Sequence, residues 1–347
     1  MTVRPGFAST PTVSVRAIRQ ILAETQPPLD PGLWLRALAD GGCDQLPMPG
    51  SGATLARWQA LACVGAVDLS LAKLYEGHTD ALAILAELRA PTALREARLW
   101  GVWCAEPPDH RVDIHPRADG STALRGTKAW CSGAAALTHA LVSGWSPAGE
   151  PCLVAVALDQ AGVAITGRGW HAVGMRAAAS VDVIFEDAVG VPVGAPDAYV
   201  RRPGFLHGGA GVAACWYGGL TRIAQYLRGA LPADSPDPHR LAHLGAIDVA
   251  LAQARAVLRE TAADIDSHPE DPCAPACARA RLAVEAAAAQ VLERAARALG
   301  AGPLCRDAGF AHMMADLPVF IRQSHAERDQ AAHGGAILKL REAPWDL

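Results

Sequence analysis

Lys128-Ala129-Trp130-Cys131-Ser132-Gly133 is the stretch on which the reading of this 347-residue chain turns. A β-prone run from 123 to 131 ends there on an indole, a thiol, a hydroxyl and a glycine, which is how a strand runs out into a turn. Two further stretches follow in fixed order: Gly174-Met175-Arg176-Ala177-Ala178-Ala179-Ser180, then Phe185-Glu186-Asp187 closed by Val191-Pro192. Each piece alone reads as ordinary: Trp130 as sheet core, Ser132 as a strand-end residue, Gly174 as a turn glycine. Only their joint order points to a shared surface.

On either side the hydrophobic period changes. Residues 15–25 carry Val15, Ile18, Ile21 and Leu22 at helical spacing, and Asp30-Pro31 gives a cap and first-turn signal for a helix that stops at Gly41-Gly42. Alanine- and leucine-rich helices are expected at 54–66 and 69–88. From about residue 98 the runs at 99–105, 111–117, 123–131, 139–144, 152–158 and 181–185 read as strands, with Asp119-Gly120 as a hairpin turn. Beyond Pro203 the helical pattern returns, with a proline-bearing connection at 234–237, helices at 238–266 and 272–299, and a last helix from about 308 to 331. The organisation expected is α+β in three domains: helices over 1–97, an antiparallel β-domain over 98–200, and a four-helix bundle over 201–347.

Composition narrows the class. Hydrophobic residues make up 51% and charged residues 19%, so the chain is globular. A net charge of -4 without a basic block excludes a general nucleic-acid binder. No apolar run reads as a clean membrane span, and residues 1–11 lack the apolar core of a signal peptide. Nine scattered cysteines read as reduced thiols in a cytoplasm. Cys273 and Cys277 flank Pro275 with no second pair, so no metal site is expected.

In this order the motifs resemble the acyl-CoA dehydrogenase superfamily: Ala105-Glu106-Pro107 is similar to its Thr-Glu-Pro turn, 128–132 to its Lys-x-Trp-x-Thr/Ser strand end, Trp170 with Gly174-Met175-Arg176 to its Trp-x-x-x-Gly-Met-Arg loop. The resemblance implies a helical–β–helical fold, FAD as cofactor, and a homodimer or homotetramer built through the bundle. It implies that Trp130 packs on the flavin, that Ser132 reaches its N5 side, and that backbone groups of Cys104 and Ala105 meet its pyrimidine edge. Arg297 and Gly300 stand where the family's Gln-x-x-Gly-Gly segment lies. Arg297 is then either a cation for a phosphate or a charge facing a helix C-terminus.

The chain departs from the family elsewhere. The glycine-rich loop after Glu-Pro is replaced by Pro108-Asp109-His110-Arg111, and the Arg-x-x-Phe-Gly segment has no counterpart. Ile321 follows Leu317-Pro318-Val319-Phe320 at the place where a base is expected, and it cannot take a proton. Glu76 and Glu260 both read as solvated helix faces, and His78, His207 and His312 as structural or surface groups. The segment around Arg322, His325 and Asp329 is similar to the superfamily's flavin-dependent monooxygenase branch. On one continuous helix these three residues share a face, either as a proton-moving group or as a surface salt-bridge ladder with Glu327 and Arg328. Three readings follow: an FAD-dependent oxidoreductase acting on the CH–CH bond of a small-molecule or carrier-bound acyl thioester, a monooxygenase fed by an electron-transfer partner or flavin reductase, or an idle scaffold.

Overall fold

Capping side chains start the first helices where the sequence expects them. Ser14 accepts from the Arg16 amide ahead of α1 (Val15–Glu24), and Asp30 accepts from Gly32 N at 2.7 Å ahead of α2 (Pro31–Asp40). Two more follow: α3 (Thr54–Gly65), and α4 (Leu69–Glu87), which Asp68 caps through Leu71 N at 2.7 Å. A short α5 (Thr92–Arg95) ends this part. The computed structural model describes residues 13–25, 30–95, 99–232, 234, 237–342 and 344–346. The reading of residues 1–11 and the expected boundary at 97/98 lie outside these, and the connection at 234–237 is described only at its two ends.

Helix α4 is buried on every side, as a helix apolar all round must be. That corrects the reading of Glu76, which is 7% exposed instead of solvated. Burial pushes its carboxyl up, and Lys73 Nζ at 3.3 Å pulls it back. His78 is fully buried and structural: its Nδ1 accepts the Trp100 amide and its Nε2–H points at Asp44, 3.1 Å away. His207 is buried against the Asp271 carbonyl, while His312 and Glu260 are exposed.

Seven strands follow: β1 (Trp100–Trp103), β2 (Val112–Pro116), β3 (Thr122–Cys131), β4 (His139–Trp145), β5 (Pro151–Ala157), β6 (Val163–Ile165) and β7 (Val181–Pro192). Their order is β1-β4-β2-β3-β7-β5, and β5 pairs back onto β4, so five of them close into a barrel; β6 adds to β7. The antiparallel expectation needs correction, because β1 and β2 both run parallel to β4. Alternation in a sequence reports which face a residue takes, not which way its partner runs. Asp119 closes the β2–β3 turn by accepting from both the amide and the hydroxyl of Ser121.

The last part holds α6 (Ala198–Arg201), α7 (Pro203–Gly229), α8 (Pro238–Ser267), α9 (Ala274–Leu299), α10 (Ala301–Arg306), α11 (Ala308–Phe320) and α12 (Glu327–Ile337). Glycines let α7 and α3 touch backbone to backbone: a Cβ on Gly218 would stand 2.1 Å from the Ala62 carbonyl oxygen. Helix α8 also differs from expectation. By length and composition it is apolar enough to cross a bilayer, yet it packs its inner face on α9 and α7. The expected helix over 308–331 is broken. It tightens into a 3₁₀ turn at Ile321–Gln323 after Pro318, which lacks an amide to donate, and restarts past Ala326 at φ 48°. A large apolar core runs from α1 through the barrel into these helices, and a smaller one joins the end of α4 to β1, β4 and β5.

Candidate functional site

Strand β3 loses register with β7 between Lys128 and Cys131. Trp130 sits in that bulge with φ 57°, a conformation that costs a non-glycine residue about 1–3 kcal/mol. The bulge turns the indole out of the ladder and leaves it 51% exposed, instead of in the sheet core where a strand tryptophan usually goes. Ser132 lies just beyond, half-buried, with its Oγ 2.8 Å from Ser180 Oγ. Its carbonyl accepts the Trp103 indole N–H at 3.2 Å, so the end of β3 and the end of β1, where Cys104 and Ala105 follow, are held together.

The 174–180 loop supplies the other wall. Met175 and Ala179 hold positive φ angles of 56° and 42° around a 3₁₀ turn at Arg176–Ala178. Ala178 accepts the Gly133 amide at 2.7 Å. On its far side the loop lies on α11: Met175 N donates to Asp316 Oδ1 at 2.5 Å, and a Cβ on Gly174 would stand 2.0 Å from the Ala315 carbonyl. Burial pushes the Asp316 carboxyl up to about 6; the Met175 amide lowers it, Asp68 raises it and His312 lowers it. Trp170, leading into the loop, has a buried indole N–H without a hydrogen-bond partner among the described residues.

Lys128 ties the motifs from inside. It is 1% exposed, and its ammonium donates to Glu106 Oε1, Ser143 Oγ and the Ser143 carbonyl at 3.3, 2.8 and 2.9 Å. All three donors are thereby used. Glu106 also accepts from Ser143 Oγ and Trp145 Nε1, at 2.6 and 2.8 Å. Partial burial acts to raise the Glu106 carboxyl; the Ser143 bond and the Lys128 charge overcome it and hold the group below its usual range.

Beside this strut opens a cavity of about 400 Å³ between β4, β5 and the start of α7. Cys104, Trp145, Tyr199 and Phe205 are among its walls. Burial pushes the Cys104 thiol and the Tyr199 hydroxyl up.

The remaining candidates lie apart. Arg297 is exposed near the end of α9 and pairs with Glu293 at 3.0 Å, and Gly300 is the exposed cap with φ 68°. No contact joins either to Trp130 or Ser132 among the described residues. The shared helical face for Arg322, His325 and Asp329 is corrected by the break at Ala326. Arg322 turns to Glu285 on α9, whose carboxylate also takes the Ser324 hydroxyl. His325 Nδ1 stays 3.4 Å from Asp329 Oδ1, while Asp329 Oδ2 accepts the His325 amide at 2.9 Å. Asp329, an acid in the first turn of α12, thus ties His325 back to the helix start.

Sequence reading missed several residues of this surface. Ser180 closed a quoted motif without being singled out. Asp316 is a lone acid in the apolar run 313–321, and the Lys128–Glu106 pair spans 22 positions. Only Asp316 carried a signal, since a carboxylate on an apolar helix needs a partner.

No family model and no curated protein matches the chain. Solved structures do. FMN-bound TdsC from Paenibacillus sp. A11-2 superposes with a TM-score of 0.77 at 22% identity, covering 93% of this chain and 94% of that one. Methanesulfinate monooxygenase MsuC from Pseudomonas fluorescens gives 0.75 at 19%, over 95% and 98%. Butyryl-CoA dehydrogenase from Megasphaera elsdenii gives 0.80 at 14%, over 96% and 100%. The chain has the acyl-CoA dehydrogenase-like fold.

Proposed function

We propose that this protein is a flavin-dependent oxidoreductase, with the flavin ring on the surface formed by Trp130, Ser132 and the backbone at Cys104 and Ala105. The observation that carries this is the strained, outward-turned indole of Trp130 beside the Ser132–Ser180 hydroxyl pair. A flat apolar ring with a polar edge asks for such a surface: an exposed aromatic face, a half-buried hydroxyl and free backbone groups. When bound, a flavin supplies hydride and electron transfer. The chain's own part is to pack the ring with Trp130, to bond its edge with Ser132, and to hold that hydroxyl through Ser180 and the loop on α11.

Between the two reactions of this fold, the residues favour monooxygenation of a small molecule over oxidation of an acyl thioester. Ile321 is 4% exposed and cannot act as a base, and α7, which opens beside the cavity, contains no Asp or Glu. Two of the three structural neighbours above belong to monooxygenases: TdsC is described as a dibenzothiophene monooxygenase and MsuC as a methanesulfinate monooxygenase. On this reading electrons come from a partner flavin reductase; His325 and Asp329 are bonded to each other at the start of α12, and no contact joins them to the Trp130–Ser132 surface among the described residues. The expected FAD gives way to a flavin gripped mainly by its ring, FMN or FAD, because the family's phosphate-holding segment has no counterpart here. A homodimer or homotetramer through the last helices belongs to the same proposal; α8 leaves Leu241 and Val249 exposed at 44% and 56%.

The test is titration of purified protein with FMN and with FAD, followed by quenching of flavin fluorescence. One flavin per chain is expected, with affinity about tenfold weaker in Trp130→Ala, the loss of one stacking contact of about 1.4 kcal/mol. A protein that takes up neither flavin is the idle scaffold, and the proposal fails.

A further inference from the structure

We propose that the cavity beside the Lys128–Glu106 strut is the site of a neutral, flat aromatic ligand, and that it turns away phosphate-bearing thioesters. As a substrate site this rests on the flavin reading above; as a ligand site it stands on its own walls. Its size, about 400 Å³, falls in the range of small-molecule sites of roughly 300–1,000 Å³ and suits two or three fused rings.

The lining is chemically specific. Trp145, Tyr199 and Phe205 provide aromatic faces, Leu153 and Val200 aliphatic ones. Polar side chains besides carboxylates are few: the Ser143 hydroxyl, already bonded to Lys128 and Glu106, and the weakly polar thiols of Cys104 and Cys152. Two carboxylates reach the wall, and both are already matched, Glu106 with Lys128 at 3.3 Å and Asp197 with Arg201 at 3.0 Å. Among the described residues, no lysine or arginine lines the cavity. Arg202 lies over the Tyr199 ring, 5.3 Å from its centroid, but is buried outside the lining and paired with Glu87 at 2.8 Å, with Asp80 at 3.9 Å. An anionic ligand would leave its charge uncompensated there, whereas a neutral aromatic one loses nothing by entering. Cys104 joins this cavity to the flavin-facing turn, so a ligand held here lies next to the surface of the proposed cofactor.

The experiment uses isothermal titration of the full chain with 2-naphthol, the naphthalene carboxylate 2-naphthoate, and butyryl-CoA. One site for 2-naphthol is expected, at least tenfold tighter than for either anion. Ala195→Trp, a change in an exposed wall residue, should weaken 2-naphthol binding at least tenfold while flavin uptake stays unchanged, which shows the fold intact. The proposal is overturned if 2-naphthoate or butyryl-CoA binds as tightly as 2-naphthol, if 2-naphthol does not bind, or if Ala195→Trp binds it as the parent does. Naphthol binding without flavin uptake would end the oxidoreductase reading and leave the cavity's ligand class standing.

Discussion

Replacing Lys128 with methionine keeps the buried stem and removes the ammonium that joins β3 to Glu106 and β4. Taking one partner from a buried pair costs about 3–5 kcal/mol. Here the Glu106 side chain is 30% exposed and keeps its bonds from Ser143 and Trp145, so the loss falls to about 2–3 kcal/mol. An unfolding entropy of about 2.1 cal/mol/K per residue over 347 residues makes roughly 0.7 kcal/mol per kelvin, and the Tm should drop by about 3–4 °C in a calorimetric scan at pH 7. Glu106 sits below its usual range in the folded chain. The pair's stabilisation is therefore present above about pH 4.3, the unfolded value, and is lost as pH falls through the lower folded value. The gap between parent and Lys128→Met should close in acid. Glu106→Gln and the double variant complete a cycle. A drop under about 1 °C, or single effects that add within about 0.5 kcal/mol, would refute the strut.

Three further outcomes follow from the same geometry. Asp316 has a folded value of about 6, above its unfolded one, so its protonated form stabilises the fold at low pH and that contribution is lost as pH rises through about 6. Asp316→Asn should match the parent near pH 4 and melt higher at pH 7.5, and equal melting at both would remove Asp316 from the account. Gly174→Ala pushes a methyl into the Ala315 carbonyl and should destabilise by about 3 kcal/mol, measured by urea unfolding, with weaker flavin uptake because the loop carries Ser180. Val249→Arg on the exposed face of α8 should lower the mass seen by light scattering from dimer or tetramer towards monomer, and an unchanged mass would place the interface elsewhere.

Much of the fold was legible because it rests on local chemistry. Asp30-Pro31 and Asp119-Gly120 each mark a boundary that the structure keeps. Glu76 was misread for want of one inference: Leu, Ala, Tyr and Ile surround α4 on all sides, so a helix with that pattern lies inside and takes its acids with it. The break at Ala326 was not legible, since alanine is the best helix former and only tertiary contact sets its φ of 48°. The site was half legible. Trp130 and Ser132 lie in one short strand end, whereas Lys128 with Glu106, and Met175 with Asp316, are 22 and 141 positions apart. Pairs at such distances leave no periodic trace.

The hydroxyls of Ser132 and Ser180 face each other, and either can give its hydrogen, with no third partner among the described residues. Two orientations of equal heavy-atom geometry are open, and a hydroxyl turns between them at little energetic cost. An atom arriving at Ser132 that accepts a hydrogen in one oxidation state and offers one in the other would be met in both, with no shift of the backbone. The pair is thus a reversible polarity adaptor, set into a loop that is otherwise held rigid from α11.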